Sequence, residues 1–473
     1  MVHHNFKKRF FTISNSLLES FVLLATWLPF SVGVAAEALA AQPGEASPPG
    51  SEAEVLLHLL QQKGLISAQE AEQVRAEAAR RATQTAEEFA RQSRLHFNRW
   101  IERVDLYGDA RLRFEHRGGE DGAGAGDDHL ERNRWRYRLR LGTRWEFSDH
   151  LRAGLRVETG SGGRSSNVTF GDDAGPSGKE SDRLFLGLLY LNWTPYEWLS
   201  VTAGRQENPL QTTSLVWDPD LTPEGLSETF RHKIGRFDLF ATFGQFVYDD
   251  ANPDNPFGSV SRSDAFLFVN QLGARFNVSP NLSLQVAPAL HVYSGEGDSH
   301  RGPFVGTAAN SAGINDLLVL EVPAEVKFKL GTLPVRIFGD FGANLHGDDR
   351  ARAAGVPQFD TEVYAWQAGA ELGSVKQKEG WSFRAFYQAS DLFALDPNLV
   401  DSDLFDSRLN LQGFAVQGVY ALTDFAQLTL SYAHADRNNK ALPTGAVGDL
   451  GGKSGTAFLE NYQLFQVDLN FKF

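Results

Sequence analysis

The stretch Arg134-Trp135-Arg136-Tyr137-Arg138-Leu139-Arg140-Leu141-Gly142-Thr143-Arg144-Trp145-Glu146-Phe147 decides the fold class. Trp135, Tyr137, Leu139, Leu141, Thr143, Trp145 and Phe147 alternate with Arg134, Arg136, Arg138, Arg140, Gly142, Arg144 and Glu146. Successive side chains of a strand point to opposite sides, so this run carries one apolar and one cationic face. Strands of soluble sandwiches usually span about five or six residues. A run this long suits a tilted strand that crosses a bilayer, and aromatics at both ends of its apolar face suit the interfacial girdles.

The same period extends in both directions. Upstream, Leu106, Gly108, Ala110, Leu112 and Phe114 form one face, and Asp105, Tyr107, Asp109, Arg111, Arg113 and Glu115 the other. Such runs predict about sixteen strands, starting near residues 105, 133, 150, 183, 198, 225, 236, 263, 281, 315, 333, 360, 380, 409, 424 and 460. Short turns alternate with long polar loops at 117–132, 160–182, 208–224, 250–262, 294–314, 347–359, 391–408 and 437–459. That sorting fits an even-stranded antiparallel barrel with both termini periplasmic. An open sheet edge in lipid would leave backbone groups unpaired, so the sheet is expected to close. The expected fold class is an all-β membrane protein: an antiparallel transmembrane β-barrel over residues 104–473, preceded by a short N-terminal helical segment.

Composition narrows the function. The 473 residues include 45 Gly, 35 Phe, one Met and no Cys. Without Cys there are no disulfide frameworks, thiolate metal sites or cysteine nucleophiles, which suits a chain that crosses an oxidising compartment. A net charge of -14 speaks against nucleic acid as the main partner. No apolar run long enough for a membrane helix follows residue 40.

The N-terminal region reads as targeting and helix. Lys7, Lys8 and Arg9 precede an apolar stretch from Phe21 to Val34, with small residues at Ala35, Ala36, Ala38 and Ala40. This order predicts a signal peptide over residues 1–40. Residues 41–51 form a linker, and 52–99 a periplasmic helical segment. There Val55, Leu56, Leu59 and Leu60 recur at helical spacing, and Ser67 with Glu70 forms a capping box. A solvated helical hairpin and an oligomerising stalk both fit this segment.

Three motifs carry a family resemblance. They are Leu189-Tyr190-Leu191-Asn192-Trp193-Thr194-Pro195, Val201-Thr202-Ala203-Gly204-Arg205-Gln206-Glu207-Asn208-Pro209, and Trp217-Asp218-Pro219-Asp220-Leu221-Thr222-Pro223-Glu224-Gly225. Together with Leu106-Tyr107-Gly108-Asp109-Ala110-Arg111-Leu112-Arg113 they resemble the putative-porin family of Gram-negative outer membranes. The resemblance covers about residues 104–473 and implies a passive diffusion pore in the outer membrane. The final run Phe465, Val467, Leu469, Phe471 and Phe473 is similar to the closing strands of such barrels. It makes Phe473 the candidate C-terminal assembly signal read by the barrel assembly machinery. The resemblance also implies outer-membrane lipid and lipopolysaccharide as surroundings, and a homotrimer by analogy with general porins.

A sixteen-stranded barrel encloses water, so its inward residues set selectivity. Arg134, Arg136, Arg138, Arg140 and Arg144, with Arg152 and Arg156 on the neighbouring strand, are the candidate pore-lining bases for small hydrophilic, anionic solutes. The alternative reading is that they solvate the wall and neutralise lumen acids. The third long loop supplies the constriction candidates Trp217, Asp218, Asp220 and Glu224; the expectation is that it folds inward and opposes acid to arginine. No catalytic, metal or cofactor site is expected. The twelve His lack any His-x-x-x-His spacing, and Gly451-Gly452-Lys453-Ser454 has Val447 where a phosphate loop needs glycine. Two other readings fit the same residues: a substrate-specific anion or polysaccharide channel of the alginate-export or phosphate-selective type, and a structural outer-membrane tether.

Overall fold

The computed structural model describes residues 63, 67, 69–74, 77, 101–121, 128–160, 165–171, 184–249, 264–294, 316–444, 449–450 and 459–473. The chain divides into two units, Met1–His96 and Phe97–Phe473. In the first, residues 69–74 are helical. Ser67 and Glu70 make the reciprocal cap: the Ser67 amide donates to Glu70 Oε2 at 2.7 Å, and the Glu70 amide to Ser67 Oγ at 3.2 Å. The signal peptide, the linker and most of the helical segment lie outside the described residues.

The second unit is a closed antiparallel barrel of sixteen strands. They are β1 (Arg103–Asp121), β2 (Asp128–Ser148), β3 (Leu151–Thr159, resumed at Val168–Thr169), β4 (Leu184–Tyr196), β5 (Leu199–Arg205), β6 (Glu224–Ile234), β7 (Phe237–Asp249) and β8 (Ala265–Ser279). Then follow β9 (Leu282–Val286 and Ala289–Ser294), β10 (Leu318–Glu321 and Ala324–Leu330), β11 (Leu333–Asn344), β12 (Tyr364–Ser374), β13 (Trp381–Ser390), β14 (Leu411–Ala421), β15 (Ala426–Arg437) and β16 (Leu459–Lys472). A helix, α1 (Gly347–Ala353), sits in the loop after β11.

Period-two patterning decides which face meets lipid. Leu106, Leu139, Leu141, Leu191, Ile337, Phe383 and Leu430 are exposed on the outer wall, while the alternating Arg113, Glu115, Arg136, Gln271 and Asp468 are buried inside. This inversion of soluble-protein burial is what a membrane barrel requires. Two strands are interrupted where a proline removes a ladder donor. β9 breaks at Pro288 and β10 at Pro323, yet the proline carbonyls still accept, from Leu272 N at 3.0 Å and Ala287 N at 3.0 Å. β1 pairs with β16 from Asp109↔Lys472 to Asp121↔Leu459, which closes the sheet. Across this seam Arg113 Nε donates to Asp468 Oδ1 at 2.7 Å.

Candidate functional site

The arginines of β2 all take the inner face, but they do not share one environment. Arg134 donates to Glu115 Oε1 at 2.6 Å and also reaches Asp449. Arg136 donates to Ser165 Oγ at 3.1 Å and to the Asn167 carbonyl at 3.3 Å. Arg138 and Arg140 grip opposite oxygens of Asp109, at 2.7 Å and 2.6 Å. Arg156 pairs with Glu158 at 2.9 Å. Only Arg144 and Arg152, nearest the short turns, stay half exposed, 3.8 Å from Glu207 and 3.5 Å from Glu146 respectively. Thus Arg134, Arg136 and Arg138 are buried under loops and acids and do not stand as an open ladder.

Residues 206–223, between β5 and β6, run inside the wall. Thr212 Oγ1 donates to Glu321 on β10 at 2.6 Å, and Thr213 Oγ1 to Asp340 on β11 at 2.6 Å. The Gln211 amide donates to Gln271 on β8 at 2.8 Å. On the opposite side Asp220 lies 3.5 Å from Arg138 Nη1 and 3.6 Å from Arg140 Nη1. Only a segment spanning the lumen reaches inward residues of four such separated strands. Trp217 is buried and meets Phe246 edge-on at 6.3 Å, within an apolar cluster that includes Leu210, Leu267, Val269 and Leu399. Glu224 stands apart from the other three loop candidates: it opens β6, is exposed, and pairs with Arg205 at 2.6 Å.

Two glycines set the loop's path. Gly204 and Gly225 face each other in register at its two stems, with φ of 114° and 147°. A Cβ would stand 2.3 Å from the Leu189 carbonyl oxygen at the first and 2.1 Å from that of Gln245 at the second. Both conformation and space therefore demand glycine. Gly225→Ala is expected to destabilise the barrel by about 1–3 kcal/mol, read as a lower urea midpoint for unfolding in detergent micelles.

Two further loops complete the interior. In residues 391–410, Asp403 receives Arg113 Nη1 at 2.9 Å, Asp406 pairs with Arg117, and the Ser402 hydroxyl donates to Asp218 at 2.7 Å. The Asp218 amide donates to the Leu399 carbonyl at 2.6 Å. Burial, then the charges of Asp220 and Asp403, push Asp218 up to about 6, and burial, then the charges of Asp218 and Asp403, push Asp401 up to about 8. Asp403 is only half-buried, and Arg113 and Arg111 hold it well below the usual carboxylate range. Asp449 lies at about 2, because the Arg117 and Arg134 guanidiniums outweigh the loss of solvation beside them.

The pair of carboxyls on Asp218 and Asp401 binds protons that the released loops would lose at about pH 4. Its stabilisation is complete below that pH and falls as pH rises through 6 and 8. After correction for intrinsic exchange, amides of residues 211–221 are expected to exchange hydrogen faster at pH 9 than at pH 5. Asp401→Asn should flatten that dependence.

On the short-turn side of the inward loop lie cavities of about 630 and 530 Å³. The first is lined by Arg231, Lys233 and Arg275 with the acids Glu197 and Asp238 and with Gln211 and Gln285; the second by Arg144, Arg152 and Arg231 with Asp105, Glu146 and Glu207. Among the described residues Arg231 and Lys233 form no ion pair, and Arg275 donates to the neutral Gln285 at 2.6 Å. These cations were not singled out from sequence. The strand of Arg231 and Lys233, β6, reads Glu228-Thr229-Phe230-Arg231-His232-Lys233, which is polar on both faces and hides the period.

Residues 124–322 match the family model described as "Putative porin". No curated protein matches the chain. Similar solved structures include an anion-selective porin from Comamonas acidovorans, at 12% identity over 78% of this chain and 99% of that one, with a TM-score of 0.43. A triple mutant of the Rhodopseudomonas blastica porin aligns at 12% identity over 78% and 100%, TM-score 0.38. A loop-deleted outer membrane protein of Vibrio cholerae aligns at 11% over 78% and 99%, TM-score 0.39. The barrel and the family match indicate an outer-membrane protein and point to a channel rather than an enzyme.

Proposed function

We propose that this protein is a passive diffusion channel of the outer membrane for small hydrophilic solutes, with a preference for anions. The observation that carries the reading is the division of charge inside the barrel. Acids of the inward loops neutralise Arg113, Arg117, Arg134 and Arg138, whereas Arg231, Lys233 and Arg275 keep their charge beside open volume. Unneutralised cations in a narrow water-filled passage raise the local concentration of anions. The inward loop sets the narrowest level and sorts solutes by the field between Asp220 and the Arg138/Arg140 pair.

In this reading both termini are periplasmic and the outer wall meets lipid and lipopolysaccharide. Phe473, whose ring lies over Gly108, is recognised by the assembly machinery. The test is the reversal potential of the purified protein in planar bilayers across a tenfold salt gradient. A potential of the anion-selective sign supports the reading; a folded barrel without conductance, or one that prefers cations, overturns it. Block that saturates with one anion would mark a substrate-specific channel.

A further inference from the structure

The wall has a notch beside the inward loop. β5 stops at Arg205 and β6 begins at Glu224, while β4 starts at Leu184 and β7 runs on to Asp249. Arg205 pairs with Leu189 and Glu224 with Val247, so the ends of β4 and β7 beyond these rows have no strand between them. The Thr222 hydroxyl donates to the Gly187 carbonyl at 3.0 Å and fixes the loop to the β4 side of the notch. Here lies a recess of about 690 Å³, a size typical of sites for small molecules. Phe185, Trp217, Leu221, Phe246 and Leu399 make much of its lining apolar, and the exposed Leu186 and Val247 flank it.

The polar groups of the recess are unevenly matched. Each acid is answered by a guanidinium: Glu158 by Arg156 at 2.9 Å, Glu224 by Arg205 at 2.6 Å, and Asp220 by Arg138 and Arg140 at 3.5 and 3.6 Å. The Tyr248 hydroxyl donates to Asp396 at 2.6 Å. Two side chains are left over. Asn398 Nδ2 and Ser166 Oγ are buried atoms without a hydrogen-bond partner among the described residues, and both residues line the recess. Ser166, itself buried, comes from the segment between the two parts of β3, and Asn398 from the loop 391–410. Buried donors are costly to leave unpaired, so an acceptor that enters the recess recovers that cost.

We propose that this recess is a binding site for a small amphipathic carboxylate, an apolar ring or short chain that carries one acid group. The apolar body lies against Trp217, Phe246 and Leu399, and the carboxylate accepts from Asn398 Nδ2 and Ser166 Oγ. A carboxylate only accepts hydrogen bonds, which suits two leftover donors. Because the acids of the lining are already matched, they do not repel it. The inference rests on the reading of the protein as a channel with a preference for anions, and names one chemical class among them.

The test uses the full-length protein in lipid nanodiscs, with benzoate as probe. Acetate lacks the apolar body and benzyl alcohol lacks the charge. Saturation-transfer NMR, with empty nanodiscs as the blank, should show saturable binding of benzoate and at least about tenfold weaker binding of the other two. Ser166→Ala combined with Asn398→Ala should weaken benzoate by at least about tenfold. Equal binding of benzoate and benzyl alcohol, no saturable binding, or unchanged affinity in the folded double variant overturns the proposal. A second measurement leaves those residues intact. The absence of native Cys allows a trifluoromethyl tag on Val247→Cys beside the recess, with Leu430→Cys on β15 as the distant control. Benzoate should shift the fluorine signal of the first and not of the second; equal shifts, or none, also overturn the proposal. Binding is read without current, so a barrel that binds benzoate but does not conduct refutes the channel alone. An anion-selective pore that ignores benzoate refutes the recess alone.

Discussion

Replacing Arg231, Lys233 and Arg275 together by glutamine is expected to abolish anion preference. These cations face open volume beside the inward loop, and their field reaches roughly 8 Å, the Debye length of physiological salt. Losing about 1 kcal/mol of attraction for a unit charge changes a permeability ratio by about fivefold. The reversal potential should therefore collapse toward zero, more so at low salt, with little change in folding. Removing Arg134 should do the reverse. Its guanidinium joins the buried Glu115 to Asp449, and breaking a buried pair typically costs about 3–5 kcal/mol. Arg134→Ala is expected to unfold at lower urea while keeping its ion preference. If the two variants exchanged these phenotypes, the assignment of selectivity to the short-turn side would fail.

The second large effect concerns the inward loop. Replacing residues 211–221 by a short Gly-Ser bridge removes the segment tied to Glu321, Asp340, Gln271 and the Arg138/Arg140 pair. Single-channel conductance should rise at least about twofold, since a sixteen-stranded wall is wide enough for an aqueous channel without that segment. A milder arm keeps the loop and cuts two tethers: Thr212→Ala with Thr213→Val should leave mean conductance near the parent value but increase open-channel noise. Unchanged conductance in the truncated variant, with its barrel folded, would show that the narrowest level lies elsewhere.

Most of the wall was legible in the sequence because lipid and water act on alternate residues. Every strand starts within five residues of its expected position; the largest offset is β2, at 128 against 133. That miss has a physical cause. β1 and β2 stay paired up to Asp121↔Asp128, across residues expected to form the loop 117–132. Beyond the bilayer both faces of a hairpin are wet, so apolar alternation stops while the ladder continues.

The interior was only half legible. Period two placed Arg134, Arg136, Arg138 and Arg140 on the inner face, but what covers them comes from far along the chain. Asp403 meets Arg113 across 290 residues and Asp449 meets Arg134 across 315, and no local pattern carries such a pairing. The paired positive-φ glycines at 204 and 225 are the nearest thing to a local signal for the inward turn.

The seam between β1 and β16 gives the barrel a clock. Its ladder joins residues such as Arg113 and Asp468, 355 positions apart, so the first strand must wait for fifteen others before it finds its mate. Hairpins form early and cheaply, whereas closure depends on the longest-range pairing in the molecule. A chain interrupted before Leu459 would keep every hairpin from β1 to β15 yet retain two raw edges. The seam thus separates finished molecules from unfinished ones, and its backbone bonds between Gly108 and Phe473 mark the moment at which the sheet ceases to have ends.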